Sequence, residues 1–179
     1  MALIQTVQPE NAQGVVKDGY DMFMKHIGII PKPMEMMSVS PALFEQQLKR
    51  IQYFSTHPNL SFALLAHIRY LVAHSLNYTF CMDFNKVVLK KQGLEESDFQ
   101  KIEADPSKSI LEKNENAMLA FVIKSVKKPG SVTKEDIKQL RDLGWDDRDM
   151  VDALSQGVSM IDHSIMMQVF QIDPNCMIG

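Results

Sequence analysis

Within residues 67–81 the chain gathers four side chains able to do chemistry: His67, His74, Tyr78 and Cys81. A cysteine thiolate attacks peroxides and disulfides, and its sulfenic acid is the first oxidised product. An imidazole moves protons near neutral pH, and a phenol donates a hydrogen bond. Positions 67, 74 and 81 are two heptads apart, and a straight α-helix drifts only ~20° per heptad. An unbroken helix therefore aligns His67, His74 and Cys81 on one face. Each heptad rises ~10.5 Å, so the three would not touch. The same residues also have a purely structural reading. Phe80, Phe84, Val87 and Val88 surround Cys81 in sequence, and free cysteine is among the most buried residue types. His67 and His74 equally fit hydrogen-bonded core or pocket positions.

Other candidates are sparser. His163 follows Asp162 on the last predicted helix, where it faces a pocket or an interface. Cys176 lies in the C-terminal tail and resolves an oxidised Cys81 only if that tail folds back or reaches over from another subunit. The five histidines show neither H-x-x-x-H nor H-E-x-x-H spacing, and no carboxylate cluster accompanies His67 and His74, so no metal site is expected. The thirteen methionines include Met22, Met24, Met34, Met36, Met37, Met166 and Met167, and they read as filling for an irregular core. No Gly-rich phosphate loop or serine nucleophile elbow appears, and no cofactor is expected.

The elements that must hold these residues read as helices throughout. Pro9 opens an amphipathic stretch carrying Val15, Val16, Tyr20, Phe23 and Ile27, which Gly28 ends. Gly14 and Gly19 weaken it, by roughly 1 kcal/mol each. A short turn falls at Met34–Met37. Ser40-Pro41 starts a helix through Phe54. Ser61 caps a helix to about Asn77, and a continuation from Tyr78 reaches Gln92 before Gly93. An acidic helix spans Leu94 to Ala104, another helix begins at Ser109, and Thr133 with Asp136 forms a capping box for a helix that Gly144 ends. Asp146 or Asp147 caps the last helix, through Gln171. Strand signals are nearly absent, so the fold class is all-α, and residues 1–179 read as a single domain.

The chain has 179 residues, 45% hydrophobic and 23% charged, which suits one globular domain. A net charge of −3 offers no general attraction to nucleic acid. The longest apolar region, Leu60 to Leu76, is interrupted by His67, Arg69 and His74, so no membrane span is expected. The region suits an interface or a core equally. The N-terminus lacks the pattern of a signal peptide, which points to the cytoplasm.

The segment Ala66-His-Ile-Arg-Tyr-Leu-Val-Ala-His-Ser-Leu-Asn-Tyr78-Thr-Phe-Cys81-Met-Asp-Phe-Asn85 resembles the core motif of the AhpD-like superfamily, which includes carboxymuconolactone decarboxylases. Phe23-Met-Lys-His-Ile-Gly28-Ile-Ile-Pro31, Ser40-Pro-Ala-Leu43, Asn116-Ala-Met-Leu-Ala-Phe121, Val132-Thr-Lys-Glu-Asp136 and Leu140-Arg-Asp-Leu-Gly144 extend the likeness to the peroxidase-related branch over most of the chain. The resemblance implies an AhpD-like helical bundle with a break near Asn77-Tyr78 and Cys81 in the first turn of the next helix, where the helix N-terminus favours a thiolate.

Redox-active members carry a Glu, then Cys-x-x-Cys, then a His four residues on. One thiolate attacks the peroxide and the second resolves the sulfenic acid. In this sequence Cys81 holds the second cysteine position. Tyr78 stands at the first, Asn85 at the His position and Ala66 at the Glu position, so the usual two-cysteine cycle cannot run.

The leading expectation is an antioxidant-related AhpD-like protein with a degenerate site. Its residual chemistry is single-cysteine oxidation at Cys81, assisted by His74 or Tyr78, with His67, Arg69, Asn85 and His163 as pocket candidates. The resemblance also implies a homo-oligomer taking a small-molecule ligand or hydroperoxide. Two alternatives stand beside it. One is a cysteine-independent lyase using His67, Tyr78 and His163, with Arg69 anchoring a carboxylate. The other is a non-catalytic binding or assembly protein.

Overall fold

Prolines, glycines and capping side chains set most helix ends where the sequence puts them. The computed structural model describes residues 2–173, so Cys176 and its resolving role lie outside the described residues. Among these residues every regular element is helical. The α-helices are α1 (Gly14–Ile27), α2 (Lys32–Met37), α3 (Pro41–Ser55), α4 (Phe62–Ser75), α5 (Thr79–Lys91), α6 (Glu96–Ala104), α7 (Lys113–Lys127), α8 (Lys134–Asp142) and α9 (Asp147–Val169). Single 3-10 turns sit at Pro9–Asn11, Pro106–Lys108 and Pro129–Ser131.

Several caps form as expected. Ser61 Oγ accepts from Leu64 N at 3.0 Å. Thr133 and Asp136 close a reciprocal capping box, and Asp146 and Asp149 exchange backbone-to-carboxylate bonds at the start of α9. Gly28 and Gly144 take the left-handed conformation that ends α1 and follows α8.

Other boundaries move for identifiable reasons. Pro9 starts only a 3-10 turn, and α1 begins at Gly14. Ser40 occupies the N-cap of α3 but makes no side-chain cap bond. The helix expected from Ser109 starts at Lys113, because Asn116 Nδ2 donates to the Ser109 and Leu111 carbonyls at 3.3 and 2.8 Å and holds that segment outside the helix.

Two compact units divide the chain: residues up to His57 together with those from Ile165 on, and Pro58–Ser164. In the first unit, α1 and α2 pack on α3. Val16, Tyr20 and Phe23 bury against a core containing Met34, Met36, Met37, Phe44 and Phe54. Gly19 does not weaken α1 here, since it makes room for α3. A Cβ at that position would fall on the Phe44 ring and lie 3.0 Å from Leu48 Cδ1.

In the second unit α4 is central and packs against α5, α6 and α7. Nine of its residues are buried, including Leu64, Leu65, Ile68, Leu71 and Val72, which leaves it almost no polar face. The apolar stretch is therefore core. Each such aliphatic side chain contributes roughly 1.5–3 kcal/mol by leaving water. Gly157 of α9 makes room for the same core, where a Cβ would lie 3.6 Å from Ile68 Cγ2 and collide with Val122 Cγ1.

The link between α4 and α5 decides the geometry of the reactive residues. Asn77 adopts φ +51°, a left-handed conformation that Asn tolerates better than most residues. Asn77 N donates to His74 O at 3.1 Å and Tyr78 N to Ala73 O at 2.9 Å, closing off α4. The heptad line through His67, His74 and Cys81 is broken there.

Candidate functional site

Because α5 restarts at Thr79, Cys81 sits in its first turn, where unpaired backbone N–H groups create partial positive charge. The cysteine is buried, with 6% of its surface exposed. Two side chains, one on α4 and one at the end of the Asn77 turn, interact electrostatically with it. From α4, Arg69 brings a guanidinium within electrostatic reach of Cys81. Burial lowers the Arg69 pKa from 12.5 to about 10, and the nearby sulfur works in the opposite direction, so the group remains cationic near neutral pH. From the turn itself, the Tyr78 hydroxyl lies against Cys81. Burial, reinforced by the sulfur, pushes its pKa well up, so it keeps its proton and can donate a hydrogen bond. That hydroxyl is buried without a well-formed hydrogen bond.

Asn85 fixes this group. It is 1% exposed. Its Oδ1 accepts from Arg69 Nε at 2.8 Å, and its Nδ2 donates to Cys81 O at 2.8 Å. The Arg69 guanidinium also stands over the Phe62 ring, 5.9 Å from its centroid. The residue at the expected histidine position thus serves as a bridge between an α4 cation and the backbone of the cysteine, one turn apart on α5. Arg69, considered as an anchor for a substrate carboxylate, has its Nε committed to that bridge.

The other candidates go elsewhere. His74 Nε2 stands 3.7 Å from Glu103 Oε2 on α6, while Tyr70 OH donates to Glu103 Oε1 at 2.5 Å. The Tyr70 and His74 rings stack with centroids 6.3 Å apart. This Tyr70–His74–Glu103 group had no signal in the sequence, since α6 reaches it only through packing. His163 is buried on α9.

His67 is fully buried and lines a cavity of about 530 Å³ with Phe62 and Ala63 on α4. Gln92, Leu111 and Glu115 complete much of its wall. His67 Nδ1 lies 2.8 Å from Ala63 O. Burial lowers the His67 pKa, opposed by that hydrogen bond and by Glu115, so the ring is neutral at pH 7. Among the described residues no three His, Cys, Asp or Glu side chains come together as metal ligands. Met34, Met36, Met37 and Met167 are core residues.

The fold matches two solved structures over nearly their whole length. One is the AhpD alkylhydroperoxidase core of a peroxidase-related protein from Ralstonia eutropha JMP134. It has a TM-score of 0.82 and 15% identity, with 97% of this chain and 92% of that one covered. The other is a peroxidase-related protein from Silicibacter sp. TM1040. Its TM-score is 0.80 with 13% identity, over 99% and 93% of the two chains. No protein-family model and no curated protein matches the chain. The all-α architecture is therefore that of the AhpD-like helical fold.

Proposed function

We propose that this chain is a one-cysteine, peroxidase-like protein of the AhpD-like fold, in which Cys81 reduces hydroperoxides as part of antioxidant defence. The observation that carries this reading is a cysteine in the first turn of α5 whose backbone Asn85 ties to the buried Arg69 guanidinium. A fixed cation and a helix N-terminus both favour thiolate, and thiolate is the reactive form.

In the proposed reaction the Cys81 sulfur attacks one peroxide oxygen. An S–O bond forms, the O–O bond breaks, and the alkoxide takes up the proton that the thiol released, leaving sulfenic acid and an alcohol. The Tyr78 hydroxyl, which keeps its proton, donates a hydrogen bond to the sulfur or to the departing oxygen. A small thiol then displaces water to form a mixed disulfide. A second thiol releases Cys81, so two external thiols supply the two electrons. A reducing compartment such as the cytoplasm provides them.

The alignment of both solved structures with nearly the whole chain supports reading 1–179 as one domain of this fold. Exposed Val151 and Val158, seven residues apart on α9, support a homo-oligomer built on that helix. Val158→Glu is expected to lower the sedimentation mass.

The redox reading is tested by treating the native protein with an alkyl hydroperoxide and trapping sulfenic acid with a dione probe. Thiol-dependent peroxide consumption is followed in parallel. Cys81 is expected to be labelled, with consumption lost in Cys81→Ser. Labelling no faster than in the urea-unfolded chain, together with consumption equal to that of Cys81→Ser, would leave a binding protein as the better reading.

A further inference from the structure

Two residues that line the cavity beside α4 each carry a buried polar atom with no protein partner, His67 Nε2 and Gln92 Nε2. Their hydrogen-bonding characters are opposite. A carbonyl oxygen only accepts, so the 2.8 Å contact with Ala63 O places the ring proton on His67 Nδ1 and leaves Nε2 as a lone pair. Gln92 Nε2 is an amide nitrogen and donates. A buried donor or acceptor left unmade is costly, and a ligand group at this wall that both donates and accepts would answer the two.

We propose that this cavity binds a small molecule with an apolar body and an uncharged hydroxyl end, whose O–H donates to His67 Nε2 and whose oxygen accepts from Gln92 Nε2.

The remaining walls narrow the class further. Phe62, Ile110 and Leu111 are apolar and suit a hydrocarbon body. Glu112 and Glu115 stand at the cavity and oppose a carboxylate or phosphate. The guanidinium behind Phe62, which belongs to Arg69, is committed to Asn85. An ammonium would answer His67 but set its own N–H groups against the Gln92 N–H. A metal ion lacks ligands, since no three His, Cys, Asp or Glu side chains gather among the described residues. At about 530 Å³ the space lies within the ~300–1,000 Å³ of small-molecule sites. None of its polar residues belongs to the Cys81 group, so the proposal stands or falls independently of the redox reading.

The experiment titrates the full chain with three molecules of one shape: benzyl alcohol, benzylamine and benzoate. Binding is followed through the His67 ring and Gln92 side-chain resonances. Benzyl alcohol is expected to bind saturably and shift both signals, at least fivefold more tightly than either charged analogue. Gln92→Leu and His67→Phe are each expected to weaken it at least fivefold. His67 is buried, so its variant counts only if its melting temperature stays near that of the parent. The half-buried Gln92 variant decides otherwise. Equal or tighter binding of benzylamine overturns the proposal and assigns an amine site, with the Gln92 amide turned over. Preference for benzoate, absence of saturable binding, or indifference to the Gln92 substitution also overturns it.

Discussion

Arg69 and Asn85 join α4 to α5 across the Asn77 turn, with Arg69 Nε donating to Asn85 Oδ1 at 2.8 Å. The contact lies next to the cysteine, because the same Asn85 amide holds the Cys81 carbonyl. Asn85→Leu removes the acceptor and leaves a buried cation short of a partner. We expect a loss of about 2–4 kcal/mol in urea unfolding, well above the cost of a surface change. A loss under half a kcal/mol would mean that the bridge is solvated and has little structural weight.

Arg69→Met keeps the stem of the side chain and deletes its charge. Alkylation of Cys81 near neutral pH should slow by about tenfold, since a neighbouring cation favours the thiolate. Stopped-flow alkylation checks this, and an unchanged rate would remove Arg69 from the proposed chemistry.

Tyr78→Phe separates stability from reactivity. The hydroxyl is buried without a well-formed bond, so its deletion should leave stability unchanged or raise it by up to about 1 kcal/mol. The rate of sulfenic acid formation should nevertheless fall. A parallel drop in stability would show that the hydroxyl is bonded structurally.

The His67 ring supplies a pH dependence of definite sign. Its folded pKa is below the ordinary 6.5, chiefly from burial. Between those two values the unfolded chain binds more protons than the native one, so stability falls as pH drops below 6.5 and levels off below the folded pKa. The contribution is fully present above 6.5. Unfolding free energies measured across this range should show that slope, and it should vanish in His67→Phe.

Gly19→Ala brings a methyl group against the Phe44 ring. Overpacking of this kind costs about 1–3 kcal/mol, whereas helix propensity alone would favour alanine. The sign of the change in melting temperature therefore distinguishes close packing from propensity at this position.

Helix existence was legible because its signals are local. Ser61, the Thr133–Asp136 pair and Gly144 act within one turn of themselves, and each sits where the sequence puts it. The place of Cys81 in a first turn was legible too, through the resemblance around Asn77-Tyr78. What escaped is tertiary. Nothing in the spacing of Arg69 and Asn85 announces a contact across a left-handed turn. Glu103 meets Tyr70 and His74 only because α6 packs on α4, and Glu115 meets the His67 cavity only because α7 does. Gly19 reads in the sequence as a weak point of its helix for the same reason, since its value lies in what α3 places opposite it.

The burial of α4 on nearly every side carries a cost during synthesis. Its fourteen residues leave the ribosome before α7 and α9, which supply Val122 and Gly157 to its core, have been made. Until then α5 and α6 can cover only part of this greasy rod, which favours late, cooperative closure and assistance from chaperones.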